Sequence, residues 1–424
     1  MKHKVLELKQ KYTKSIRQTS FLGTNITVVS EELPHSESYA LGFFLPVGSR
    51  DEDLSYNGIF HFIEHCAFRK TSKLNSKQIA SKFESYGAYA NAFTTQESTC
   101  FYVRALKDNF LPVMKLLSQI TLDTVFENKD VEKEREIILE EIKSYDDDPE
   151  ESIFDLGDKL IFGSHPMGES ILGTEESLNN IDLSDLETYH NEFYKSGSLI
   201  ISYSGPHSHE FVIEKISRLV NISSQKILSK IRNRPDVMPH NEIEVEKTVS
   251  QSHILLGTRI PGYDEDDSYL LPMFNIMFGD GMSSRLYQNL RDKYGIAYSI
   301  YSTLQLHSDC GVFYIYAATD KKKIDRTKRL IIEEIDKFLN QNLSHKTLVR
   351  AKEQLKSSII MEQESLSARM QSLAKNILMK TDFEDINETI ENINSIKSDE
   401  IKEFVAKHIS PHKLSVVKMI GQNT

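Results

Sequence analysis

The sequence predicts an α/β (α+β) chain built as two homologous lobes, and three observations carry that expectation. At 424 residues the chain is longer than one hydrophobic core usually supports. Short runs rich in Val, Ile and Phe alternate with longer stretches of helical periodicity, so each lobe should combine a sheet with helices. The pattern then restarts past the middle. SYALGFFLPVG from Ser38 returns faintly as SHILLGTRIPG from Ser252, and STCFYVRALKDN from Ser98 returns as CGVFYIYAATDK from Cys310, at an offset near 212 to 214 residues.

The elements follow in order. Residues 25–33 and 39–47 read as strands, and the alternation of Leu41, Phe43 and Leu45 fits a sheet with one half-buried face. A turn-rich stretch, 48–57, leads into 58–68, apolar except at three positions and long enough for a buried helix. Ser76 is expected to cap a second helix that Gly87 ends. Residues 88–95 and 98–106 read as a strand pair. Helical patterns cover 108–122 and 131–145, the latter stopped by Asp146, Asp147, Asp148 and Pro149. Ser184 with Glu187 has the spacing of a capping box, and 198–204 reads as a further strand. The Pro-, Lys-, Ser- and Asn-rich segment 221–241 is the expected linker, dividing a lobe at 1–220 from one at 242–424.

Composition narrows the function classes. Lys+Arg 51 against Asp+Glu 62 leaves a net charge of -11, which disfavours nucleic acid and anionic membrane surfaces as partners. The basic run from Lys321 to Arg329 is interrupted by Asp325 and reads as a solvated helix face. No eighteen-residue apolar run occurs, and the first twenty residues lack a secretory core; Glu7 and the preference for Lys over Arg argue against an organelle transit peptide. Three cysteines at distant positions, with no C-x-x-C pair, fit a reducing compartment, and the cytoplasm is the expected location.

The informative segment is Gly58 to Phe68. On a helix His61, Glu64 and His65 share one face, while Ile59, Phe60, Ile63, Cys66 and Phe68 fill most of the rest. Burying three such groups without partners would cost several kcal/mol, roughly the price of an unpaired polar group each. A divalent cation removes that cost. H-x-x-E-H places two neutral imidazoles one turn apart for zinc and leaves the glutamate free to take a proton from water. A third ligand is needed, and the helix beginning at Val131 offers Glu132, Glu134, Glu136, Glu140 and Glu141. Glu134 and Glu141 lie two turns apart on one side; periodicity leaves open which would bind metal, and whether all five are simply solvated.

With these motifs the chain resembles the M16 zinc peptidases, the inverzincin family that includes pitrilysin, insulin-degrading enzyme and the mitochondrial processing peptidases. The resemblance runs from about Arg17 to about Ile409 and rests on NGIFHFIEHCAF at Asn57, YANAFTTQESTCFY at Tyr89, EKEREIILEEI at Glu132, HPMGESILGT at His165 and GMSSRLYQNLRDKYGIAYSI at Gly281. It implies two lobes, each a mostly antiparallel sheet covered by helices, with zinc in the first lobe only. It also implies one Zn²⁺ per chain held by His61, His65 and Glu141, with Glu64 as general base and Glu134 as an auxiliary acid. Arg291 and Tyr298 match residues that reach the substrate and the oxyanion, and Asn91, Ala92 and Phe93 match an edge strand that accepts a peptide. The function implied is hydrolysis of unfolded peptides in a closed chamber by a homodimer, or by a heterodimer with a related subunit; the rival class is a non-catalytic subunit that holds peptide or scaffolds a partner. Two departures stand out: Lys70 replaces a usual Gly, and Asp280 interrupts a Gly-rich turn.

Overall fold

The computed structural model describes residues 5–7, 16–21, 25–195, 197–219, 232–264 and 269–422. They form two compact units, each drawing on three segments of the chain. The first unit comprises 1–142, 170–233 and 362–385; the second comprises 143–169, 234–361 and 386–424. The contacts therefore divide the chain otherwise than into the contiguous halves 1–220 and 242–424. Residues 221–231 of the expected linker lie outside the described residues, and 232–241 carry no regular structure.

The first unit holds a seven-stranded sheet. Its strands are β1 (Val5–Glu7), β2 (Ile16–Phe21), β3 (Ile26–Glu32), β4 (Ser38–Leu45), β5 (Tyr89–Thr94), β6 (Thr99–Leu106) and β7 (Leu199–Gly205). They lie in the order β1-β2-β3-β7-β4-β6-β5. Every pairing is antiparallel except β3 with β7. The second unit holds β8 (Glu242–Lys247), β9 (Ser252–Ile260), β10 (Ala297–Leu306), β11 (Gly311–Thr319) and β12 (Ser415–Gly421), in the order β10-β11-β9-β12-β8. Here too only one pair, β8 with β12, is parallel. Read from the other edge, this order repeats β3-β7-β4-β6-β5 strand for strand. The faint echo at Ser38 and Ser252 is thus β4 against β9, and that at Ser98 and Cys310 is β6 against β11.

Helices cover each sheet. In the first unit α1 (Ile59–Ala67), α2 (Ser76–Ser85), α3 (Phe110–Leu122) and the first part of α4 (Asn128–Asp147) are followed, after α5 (Pro149–Phe162), by α6 (Glu175–Asn180), α7 (Leu183–Tyr189) and α8 (His209–Leu219). The second unit contains α9 (Leu270–Phe278), α10 (Ile324–Asn340) and α11 (His345–Glu362); α12 (Leu366–Met379) belongs to the first unit, and α13 (Ile386–Ser395) and α14 (Ser398–His408) again to the second. No helix among the described residues is long and apolar enough to cross a membrane.

Two helices overturn the half-buried sheet expected from Leu41, Phe43 and Leu45. Those three side chains do face one apolar core, with Val28, Phe62 and Ile63. Between them, however, Ala40 and Phe44 pack into a second core with Met370 and Leu373 of α12, so β4 is buried on both faces. The small residue at Gly42 permits that approach: a Cβ there would lie 2.5 Å from Met370 Sδ. In the second unit α5 does the same work, as Ile153, Ile161 and Phe162 cover Leu255, Val312, Tyr314 and Val417. Each sheet is closed by a helix from the opposite half of the chain.

Local capping also differs from the expectation. Asn75, not Ser76, caps α2, accepting from Gln78 N at 3.0 Å. Asp182 with Asp185, not Ser184 with Glu187, forms the box at α7, because the backbone turns helical two residues earlier than the Ser-x-x-Glu pattern requires. Asp148 does not merely stop α4: its carboxylate takes the amides of Glu150 and Glu151 and starts α5 at Pro149.

On α5, Asp158 is buried against Tyr314, whose hydroxyl donates to it at 2.6 Å. Burial pushes this carboxyl from 3.8 up to about 7, against the lowering effect of that hydrogen bond. The folded chain therefore keeps a proton that the unfolded chain releases near pH 4. This contribution to stability is full at low pH and is lost as pH rises to about 7. The Asp158→Asn variant should lack the decline, narrowing the stability difference between pH 4 and pH 8 by about 2–4 kcal/mol. Urea unfolding of both proteins at the two pH values checks it.

Candidate metal centre

Helix α1 is fixed at its start by residues before it. Gly58 has φ 93°, and a Cβ there would meet the carbonyl oxygen of Leu172 at 2.7 Å. The Glu52 carboxylate accepts from Gly58 N at 2.7 Å, Phe60 N at 2.9 Å and Asn57 Nδ2 at 3.1 Å, supplying partners to amides that the first helical turn leaves open. Phe60, Phe62 and Ile63 are wholly buried, each worth about 1.5–3 kcal/mol of transfer from water. Phe60 packs edge-on to Tyr189 and Phe193. The apolar faces thus set the helix's rotation, which turns His61, Glu64 and His65 to one side.

Helix α4 lies opposite. Of its five glutamates, Glu134 is buried and Glu141 faces the histidines, while Glu132, Glu136 and Glu140 are exposed. Glu141 Oε2 lies 3.5 Å from His65 Nε2 and 4.0 Å from His61 Nε2. The two imidazole rings are 4.6 Å apart. One ligand atom from each of His61, His65 and Glu141 falls within 4.8 Å of the others. Glu134 instead sits behind His65, its Oε2 accepting from Nδ1 at 3.1 Å, and Arg69 pairs with its other oxygen.

The electrostatics suit a cation. Burial pushes His61 down to about 4, so its imidazole is neutral, and its Nδ1 is buried without a hydrogen-bond partner. Burial also opposes charge on His65, but the hydrogen bonds to Glu134 and Glu141 outweigh it and carry that group up to about 9. The hydrogen bond from His65 holds Glu141 below the usual carboxylate range. Burial disfavours ionised Glu134, yet His65 and Arg69 together hold it low as well. Two imidazoles and a carboxylate with a hydrogen-bonded acid behind one ring are donors of the kind that zinc takes, and a cation at Nε2 would take the place of a proton.

Glu64 stands apart from that triad. Its carboxylate accepts from Thr94 Oγ1 at 2.7 Å, and burial raises it above the ordinary range, with the hydrogen bond opposing. Thr94 ends β5, the edge strand, which pairs with β6 alone among the described strands. Asn91, exposed, and Ala92 and Phe93, half-buried, lie on that strand opposite Tyr102, Phe101 and Cys100.

Arg291 and Tyr298 belong to the second unit. The Arg291 guanidinium lies 4.8 Å from the Tyr287 ring centre. Tyr298 falls where the β10–β11 register shifts between Ala297 and Ser299, and it is 66% exposed; such a bulge turns a side chain out of the regular alternation. Of the two departures, Lys70 pairs with Glu127 just before α4, and Gly281, after Asp280, takes φ 90° with open space around it.

The sequence reading missed Glu52, Arg69 and Thr94 as partners of the site. Arg69 lies just past the end of α1 at Ala67, outside its helical periodicity, and the other two meet α1 only through the fold.

The description "Insulinase (Peptidase family M16)" matches residues 27–175, and "Peptidase M16 inactive domain" matches 180–355. An uncharacterised zinc protease of Rickettsia felis is 31% identical over 405 residues, covering 95% of this chain and 97% of that protein. The chain belongs to peptidase family M16. A second relative, an uncharacterised zinc protease of Bacillus subtilis, is 30% identical over 89% of this chain and 91% of its own length. Two solved structures share the M16 fold at 19% identity. A protease from Helicobacter pylori covers 99% of each chain with a TM-score of 0.87. A peptidase M16 inactive domain from Pseudomonas fluorescens covers 96% of this chain and all of its own, with a TM-score of 0.89.

Proposed function

We propose that this chain is a zinc-dependent endopeptidase acting on unfolded peptides, with one Zn²⁺ held by His61, His65 and Glu141. The observation that carries the proposal is the convergence of those three side chains within 4.8 Å, with Glu64 on the same helix but hydrogen-bonded elsewhere. Zinc, when bound, supplies Lewis acidity toward the scissile carbonyl and the attacking water. Glu64 accepts the proton from that water and returns it to the leaving amine. Glu134 accepts from His65 Nδ1, which fixes the tautomer whose Nε2 faces Glu141.

The free edge of β5 supports binding of an extended peptide at Asn91, Ala92 and Phe93 by strand addition. For Arg291 and Tyr298 the proposed roles are donation to the substrate and to the oxygen that gains charge during attack. The exposed side chains of both residues are compatible with such use. The names of the Rickettsia and Bacillus relatives support zinc and proteolysis. A cytoplasmic dimer, of two copies or with a related subunit, completes the proposal.

Chelation tests it. An unstructured peptide should be cut by the purified protein, the cutting should stop on treatment with a zinc chelator, and stoichiometric zinc should restore it. The rival reading, a subunit that holds peptide without cutting it, predicts binding with no turnover under every zinc condition. The complete set of His61, Glu64, His65, Glu134 and Glu141 favours the enzyme.

A further inference from the structure

Arg50, Asp51 and Glu52 are three consecutive charged residues, all buried in the first unit. Each engages a different neighbour. Glu52 caps α1 through Gly58 N and Phe60 N. Asp51 accepts from Gly48 N at 3.0 Å and from both arms of Arg232, Nε at 2.9 Å and Nη2 at 2.7 Å. Arg50 donates to Glu97 at 2.6 Å and to the carbonyl oxygen of Asn233 at 2.7 Å. Arg232 Nη2 reaches the carbonyl oxygens of Pro46 and Glu97 as well, at 3.2 and 2.8 Å. The backbone of the same loop is tied to the turn after β5, with Ser49 N on Thr95 O at 3.2 Å and Arg50 N on Gln96 O at 2.9 Å.

Residues 232 and 233 come from the segment that the sequence marks only as a linker. A surface arginine in a linker needs no such company. Taking its guanidinium into a nest of buried carboxylates and carbonyls carries a desolvation cost, offset only when geometry is good, and the two-armed bond to Asp51 is the strong form of that pair. Asp51 has its position fixed from outside the loop, and the residue after it is the cap of α1.

We propose that Arg232 is a positioning residue for the metal-binding helix: by locking Asp51 it fixes the loop whose next residue, Glu52, holds the start of α1, and so sets His61 and His65 against Glu141. The device makes the geometry of the metal site depend on the seating of linker residues 232 and 233. It rests on the zinc reading of α1 given above, and hydrogen exchange in metal-free protein tests it separately from that reading.

The experiment compares full-length Arg232→Met with Arg369→Met, which breaks an ion pair with Glu31 elsewhere in the same unit. Amide exchange of residues 59–67 is measured in the metal-free proteins, zinc affinity by competition with a chelator, and thermal stability alongside. In Arg232→Met the α1 amides should exchange faster and zinc affinity should fall about tenfold, the scale for loss of a supporting group behind metal ligands. Exchange in β4 and β7 should be unchanged. Arg369→Met should lower the melting temperature with α1 exchange and zinc affinity at wild-type values. Wild-type α1 exchange and zinc affinity in Arg232→Met would overturn the proposal, as would equal changes in Arg369→Met. Should Arg232→Met not fold, Arg232→Lys decides: it keeps the charge and loses one arm, and unchanged α1 exchange there counts against the inference. Failure of the wild-type protein to bind zinc would instead sink the function proposed above and leave the exchange result standing.

Discussion

Glu64→Gln is expected to lower kcat for peptide cleavage by about 10²- to 10⁴-fold, the usual worth of a general base. Zinc content and KM should be unchanged. The substitution is nearly isosteric, and the amide oxygen of Gln can still accept from Thr94 Oγ1, as the carboxylate does at 2.7 Å. What disappears is the capacity to take a proton. Because Glu64 lies outside the cluster of His61, His65 and Glu141, the ion has no reason to leave. Steady-state kinetics with metal analysis of the same preparation reads both quantities, and full activity in the variant would end the assignment of Glu64 as base.

Glu141→Gln should strike the other half of the chemistry. Removing a ligand costs more than the roughly 10- to 100-fold typical of a hydrogen-bonded group behind one, so zinc affinity is expected to fall by more than about 100-fold. Glu134→Gln should fall inside that range, since Glu134 touches only His65 Nδ1 and Arg69. Zinc titration against a competing chelator ranks the two variants. The reverse order would exchange their roles and revise the ligand set.

That ranking settles a choice that helical periodicity left open. Spacing showed that Glu134 and Glu141 share a side of α4, and that His61 and His65 share a side of α1; it could not show which glutamate meets which nitrogen, because that depends on how two helices cross. Strands β3 to β7 and most of the helices of the first lobe were legible because their apolar periodicities are local, whereas β1 and β2 were not read. Ser184 misled because a Ser-x-x-Glu pattern is common, and the preceding Asp182 competes for the same helix start. The face of β4 that packs on Met370 was illegible for a deeper reason. Its partner lies hundreds of residues away, and Ala40 and Gly42 read as gaps in an alternating pattern until α12 is seen against them. Helix α5 was missed likewise, with Gly157 at its centre and its apolar partners on β9, β11 and β12. Glu52 and Thr94 are nearer in sequence, but no local periodicity marks a side chain that reaches a helix from a loop or from a strand end.

The exchange of α5 and α12 governs how the molecule can be born. A ribosome releases β1 to β7 well before α12, so the leading sheet must wait, with one oily side uncovered, until almost the whole polypeptide has been made. Such a nascent surface is prone to clump, and it invites a chaperone's grip during synthesis. A cut between the repeats would strand each sheet without its lid.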